Sequence, residues 1–137
     1  MPDALSPSQR SACMASIKSR DTAPEMCVRR MVHGLGFRFR LHRADLPGTP
    51  DLVLPRLRKV IFVHGCFWHL HSCRKGRTAP QTRVEFWRAK RESNSARDKT
   101  VIASLRRSGW RVLVVWECQT HVKANSQLQS RLLKFLR

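Results

Sequence analysis

Acidic residues are scarce in this chain. Asp and Glu total 9 against 27 Lys and Arg in 137 residues, a formal net charge of +18. Self-repulsion on that scale opposes compaction unless a polyanion relieves it. The balance therefore weighs against a merely solvated basic surface and points to nucleic acid or an acidic membrane face. Long apolar runs are missing too. The longest, Val60 to Val63 and Val112 to Trp116, fall far short of the ~18 residues of a membrane span. The opening MPDALSPSQR has no apolar core for a signal peptide, so the protein is expected to stay where it is made. There is no internal repeat and no linker. With 42% hydrophobic and 26% charged residues, composition excludes disordered and collagen-like classes.

The length fits one domain spanning 1–137, able to bury a core without disulfides. Five cysteines make an odd count in a chain with no export signal, which favours metal ligands and free thiols over a disulfide framework.

Ser6-Pro7-Ser8-Gln9 starts a short helix to about Lys18, with Ser as cap and Pro in the first turn. Thr22 and Glu25 form a capping box for a second helix, which puts Cys27, Met31 and Leu35 on one face and stops at Gly34 and Gly36. Phe37 to Leu41 alternates as a half-buried strand. Leu46 to Pro50 is a turn, and short strands follow at Asp51–Leu54 and Arg58–His64. Residues 65–80 form an irregular loop rich in His and Cys. A helical region runs from Thr82 to about Arg107, interrupted near Ser93 to Ser95. Trp110 to Glu117 is the most apolar strand and is expected at the centre of the sheet. Leu128, Leu132, Leu133 and Leu136 mark a C-terminal helix. The order predicts an α/β domain with a central mixed sheet flanked by helices. It divides into an N-terminal helical arm (1–20), a core (21–120) and the C-terminal helix (121–137).

Cys66, His71 and Cys73 lie within eight residues, and Cys118 follows the last strong strand. Three thiolates and an imidazole suit tetrahedral, structural zinc. His64 and His69 are rival ligands, and buried free cysteines are the bland alternative. Cys13 and Cys27 fall on predicted helices, where core packing suits them.

Glu25 on a helix, Pro50-Asp51 at a strand start and a polar residue ending the next strand follow the layout of the restriction-endonuclease-like core. That core normally carries an acid-x-lysine where this chain reads Phe62 and His64. One metal-binding carboxylate is therefore absent. Asp51 can hold Mg²⁺, with a backbone carbonyl such as that of Val63 as a further oxygen ligand. His64 and His69, with ordinary pKa values near ~6.5, can move protons.

Val60-Ile61-Phe62-Val63-His64-Gly65-Cys66-Phe67-Trp68-His69-Leu70-His71-Ser72-Cys73 resembles the signature of the very-short-patch-repair (Vsr) DNA mismatch endonucleases. Four other stretches agree in order and spacing: Ser19 to Thr22 leading to Glu25, Leu46 to Asp51, Thr82 to Trp87, and Gly109 through Cys118. The likeness spans roughly residues 8 to 120. It implies a monomeric, Mg²⁺-dependent bacterial cytoplasmic enzyme with a structural zinc. Such an enzyme nicks double-stranded DNA 5′ of the thymine in a T·G mismatch left by deamination of 5-methylcytosine. By position, Asp51 is the metal-binding carboxylate, His69 the general base, and His64 and Glu25 supporting residues. The Val63 carbonyl is a metal ligand, although Val63 stands where the best-known pattern has threonine. Cys66, His71, Cys73 and Cys118 match the zinc ligands. Phe67, Trp68 and Trp87 match aromatic side chains driven into DNA beside the mismatch, where a mismatched step is cheaper to unstack. Met14 matches a residue acting from the opposite groove. Lys18, Arg20, Arg74, Lys75, Arg77, Arg83 and Arg88 flank the site as candidate phosphate contacts, some of them expected to be simply solvated.

Two other readings stand beside this one. One is a nuclease of the same core acting on other mismatches or deaminated bases such as hypoxanthine. The other is a catalytically silent, zinc-stapled DNA-binding module, which would leave Asp51, His64 and His69 without a task. Mismatch-repair proteins are the further partners considered.

Overall fold

The computed structural model describes residues 21–74, 76–77 and 82–137. The first predicted helix, with Cys13, Met14, Lys18 and Arg20, lies outside the described residues, as does Lys75. Helix α1 spans Ala23–Gly34, and Thr22 Oγ1 accepts the Glu25 N–H at its start. Strands β1 (Arg40–Leu41), β2 (Leu52–Leu54) and β3 (Lys59–His64) follow. Helix α2 spans Val84–Arg107, and β4 spans Arg111–Trp116. Short 3-10 turns at Glu117–Thr120 and Val122–Ala124 lead into helix α3, Asn125–Leu136.

The sheet has the order β1-β2-β3-β4, and the first two pairings are antiparallel. β3 and β4 run parallel, with His64 opposite Trp116. The sheet is mixed, as expected. β3 is buried along most of its length, as is the shorter β2, and is rich in β-branched residues and apolar on both faces.

Strand periodicity sorts the residues of β2 and β3 between two layers. Leu52, Leu54 and Ile61 pack with Val28 and Val32 of α1 and with Leu128, Leu132 and Leu136 of α3. Val53, Val60 and Phe62 pack on the other face against Leu105 of α2. By the same alternation Asp51 and His64 fall on the α2 face. This parity brings chemistry from two strands toward one helix.

Three expectations are revised. β4 is an edge strand among the described residues, pairing only with β3. Its apolar content reflects helices on both faces of the sheet, not a central lateral position. α2 is continuous through Ser93 to Ser95, where Asn94 turns its side chain to the Trp68 carbonyl at 3.1 Å. Only Arg40 and Leu41 of the predicted first strand pair, although Phe37 and Phe39 still pack inward. In α1, Cys27, Met31 and Leu35 pack against the core as expected, beside the fully buried Val28 and Val32.

Gly48, at φ +72°, makes the turn before Asp51 possible. A Cβ there would meet Val101 Cγ1 at 2.5 Å, so this backbone lies directly against α2.

Candidate active site and metal centre

Asp51 sits at the entrance to β2, half-buried, and its Oδ2 accepts the Val63 backbone N–H at 2.7 Å. Burial, with the neighbouring Glu25 adding to it, pushes the Asp51 carboxyl up to about 7 despite that hydrogen bond. Glu25 is buried at the start of α1. Its Oε2 accepts the Asp21 backbone N–H at 3.1 Å, and His42 Nε2 lies 3.0 Å from the same oxygen. Arg29 forms an ion pair with it from the next turn of the helix. Burial alone would raise the Glu25 pKa, but bonds to His42, Asp51 and the Asp21 amide, with the Arg29 charge, hold it below the usual value. Thr22 caps the helix, but the Glu25 side chain does not complete the expected box. It accepts the Asp21 amide and is otherwise spent on His42 and Arg29.

His64 ends β3, and His69 follows in the loop. Their rings stack at 4.0 Å between centroids, with an interplanar angle of 5°. His69 Nδ1 lies 2.5 Å from Asp98 Oδ2 on α2, and His64 Nε2 lies 3.8 Å from the other oxygen. The expectation of two imidazoles titrating near neutrality does not hold for His64. Burial and the adjacent His69 push it down to about 4, against the pull of Asp98.

These groups open onto one cavity of about 530 Å³. Asp51, Val63, His64 and His69 line one side, and Asn94, Arg97, Asp98 and Val101 come from α2. His42 reaches its rim. The structure thus brings Asp51, Val63, His64 and His69 together, with Glu25 one contact behind Asp51. Asp98 and His42 were missed in the sequence. The available signal for Asp98 was helical spacing, since Asn94, Asp98 and Val101 share a face of α2. No short-range pattern distinguishes His42.

The second constellation lies in the loop after β3. The ligand atoms of Cys66, His71, Cys73 and Cys118 all fall within 4.8 Å of one another. Cys118 Sγ is 3.6 Å from His71 Nδ1. Ligands of tetrahedral zinc, with Zn–S near ~2.3 Å, stand roughly 3.8 Å apart, so the donor set and its spacing fit a metal ion. His64 and His69, the rival ligands, instead belong to the Asp98 cluster. The Cys73 thiol is pulled down to about 6, chiefly by the Gly76 backbone N–H, whereas burial pushes Cys66 up to about 12. Gly76 fits closely here, because a Cβ would collide with the His71 backbone. His71 stacks on Trp116 at 4.2 Å, tying the loop to the end of β4.

Beside this centre the aromatic rings form a cluster. Phe67 and Trp68 meet edge-on at 5.3 Å, and Trp68 and Trp87 at 5.4 Å. All three are partly exposed. Arg91 is buried beneath them, donating to the Phe67 carbonyl at 2.7 Å and to that of Gly76. Its guanidinium carbon lies 4.2 Å from the Phe67 ring centroid. With Asn94 and Asp98, Arg91 couples α2 to the loop. Of the flanking cations, Arg83 covers Phe86 at 4.1 Å, and Arg88 pairs with Glu85 on the surface.

Three comparisons bear on this geometry. The family model described as DNA mismatch endonuclease Vsr matches residues 2–75. Type II nicking enzyme V.XorIIP of Xanthomonas oryzae pv. oryzae is 53% identical over 119 residues, covering 87% of each protein. DNA mismatch endonuclease Vsr of Escherichia coli K12 is 47% identical over 118 residues, covering 86% of this chain and 75% of that protein. Among solved structures, the homing endonuclease I-Bth0305I catalytic domain superposes with TM-score 0.55 at 18% identity, covering 84% of this chain and 94% of that one. That likeness shows the fold, a restriction-endonuclease-like core.

Proposed function

The chain belongs to the DNA mismatch endonuclease Vsr family, and on that premise we propose that it nicks DNA 5′ of the thymine in a T·G mismatch. The observation that carries this reading is the single cavity in which Asp51 and the His69–Asp98 pair face each other.

Asp51 and the Val63 carbonyl would hold Mg²⁺. A half-buried carboxyl pushed to about 7 beside a second acid is a site short of positive charge, and its oxygen donors suit a hard cation. When bound, the cation supplies charge stabilisation at the phosphate and acidifies water. The rest is done by side chains. Asp98 holds the proton of His69 on Nδ1, which leaves Nε2 free to accept one from water. His64 stays neutral and buried, and its stacked ring fixes the plane of His69. Glu25, oriented by His42 and Arg29, keeps Asp51 in place. His69 is thus the general base, with His64 and Glu25 supporting.

Zinc in the Cys66, His71, Cys73 and Cys118 set would be structural, since four protein ligands leave no open position. It would brace the loop that presents Phe67 and Trp68, with Trp87 opposite, as wedges beside the mismatch. Met14, Lys18 and Arg20 complete the proposed DNA contacts from outside the described residues. The enzyme would act as a monomer in the bacterial cytoplasm. No helix among the described residues is long and apolar enough to cross a membrane.

The test is strand-resolved nicking of labelled duplexes carrying T·G, other mismatches, hypoxanthine or no lesion, with Mg²⁺ and an Asp51→Ala control. One Mg²⁺-dependent cut 5′ of the mismatched thymine, lost in the control, is the expected result. Equal cutting at other lesions would replace it with the broader nuclease. Binding without cutting would leave the silent module.

A further inference from the structure

Arg97 is the one Arg or Lys among the described residues lining the catalytic cavity. It follows Asn94 by three residues and precedes Val101 by four, so the helical repeat places it on the face of α2 that borders the cavity. The other charged groups on that lining are committed: Asp51 to the Val63 amide, Asp98 to His69. Arg97 makes no ion pair or hydrogen bond with another described residue. It is exposed, so its guanidinium is free to meet an incoming group. From β3 no lysine enters the cavity, because His64 occupies the position where a restriction-endonuclease-like core normally has one.

A phosphodiester entering here carries a negative charge toward two carboxylates, and gains more as the attacking oxygen approaches. A planar guanidinium matches two phosphate oxygens at once and needs no proton exchange to stay charged. We propose that Arg97 is a catalytic residue that grips the non-bridging oxygens of the scissile phosphate and stabilises the charge that develops there. This assignment rests on the nuclease reading above and adds to it the group that replaces the missing strand lysine.

The test has a kinetic and a binding arm. In single-turnover nicking of the T·G duplex, Arg97→Ala should slow the cut by ~100-fold, the usual effect of removing one preorganised charge donor. Arg97→Lys should recover part of that loss. Affinity for the unmodified duplex should fall by about tenfold, with the log–log salt slope falling by no more than ~0.9, one phosphate contact. In the binding arm, the scissile phosphate is replaced by a neutral methylphosphonate. The effect of that replacement on affinity should differ about tenfold between wild type and Arg97→Ala, as expected of directly interacting partners. A wild-type rate in Arg97→Ala, or an equal methylphosphonate effect in both proteins, would overturn the proposal. Wild-type protein that binds the duplex without nicking would instead overturn the parent reading, and the binding arm would still judge Arg97.

Discussion

Asp98 Oδ2 lies 2.5 Å from His69 Nδ1, joining helix α2 to the loop after β3. A carboxylate at that distance selects the tautomer with the proton on Nδ1, and fixes the ring at the cavity wall. Two residues 29 apart in the chain thus act as one proton-accepting unit. Asp98 touches no substrate in this scheme and is a positioning residue.

Asp98→Asn should therefore lower the single-turnover nicking rate by ~100-fold or more through the wrong His69 tautomer. Duplex affinity should stay near wild type, and the pH–rate profile should move. Asp98→Glu should restore part of the rate. An unchanged pH profile with a uniformly weaker protein would reduce Asp98 to a packing role.

Asp51→Asn should separate activity from stability. The carboxyl titrates at about 7 in the fold against 3.8 as its ordinary value. The folded protein therefore holds this proton more tightly than the unfolded chain does. The associated stabilisation is complete below about 3.8 and is lost as pH rises through about 7. Without Mg²⁺, the variant should match wild type near pH 4 and exceed it at pH 8 by ~5 °C in Tm, the shift of roughly 1 kcal/mol in a domain this size. Nicking should vanish. Thermal scans across pH check this, and an equal or lower Tm at pH 8 would contradict the charge argument.

Cys73→Ser should lower zinc content and Tm together, since metal binding here is folding energy for the loop. A chelator strong enough to strip wild type should produce the same Tm. Elemental analysis beside calorimetry makes the comparison. A zinc-replete Cys73→Ser protein would remove Cys73 from the ligand set.

Trp68→Ala should weaken binding to T·G duplex more than to paired duplex. Base–aromatic stacking is worth ~1–3 kcal/mol per base, and only an opened step offers it. Competition binding with both duplexes measures the ratio. Equal losses on both would argue against insertion.

Much of this was legible in the chain. The apolar run Val60 to Val63 marks a strand buried on both faces, and the Leu128, Leu132, Leu136 stripe marks the helix covering one of them. Cys66, His71 and Cys73 could be grouped because they are close in sequence and share a polar loop. The edge position of β4 was not legible, since a strand covered by helices on both faces has the same composition wherever it sits in the sheet. Nor was the unbroken α2. Its serines near Asn94 weaken helix propensity, and packing against the loop overrides that preference.

The sequence by itself determined the charge, the metal-binding residue types and the alternation that puts Asp51 and His64 on one face of the sheet. These follow from local chemistry and from the two-residue repeat of a strand. Only the tertiary structure decided which groups Asp98, His42 and Arg91 would meet. Asp98 and Arg91 lie on α2 and His42 just after β1, each well separated along the chain from its counterpart. Helix periodicity can say that such a residue faces inward, but what it faces depends on how the layers pack.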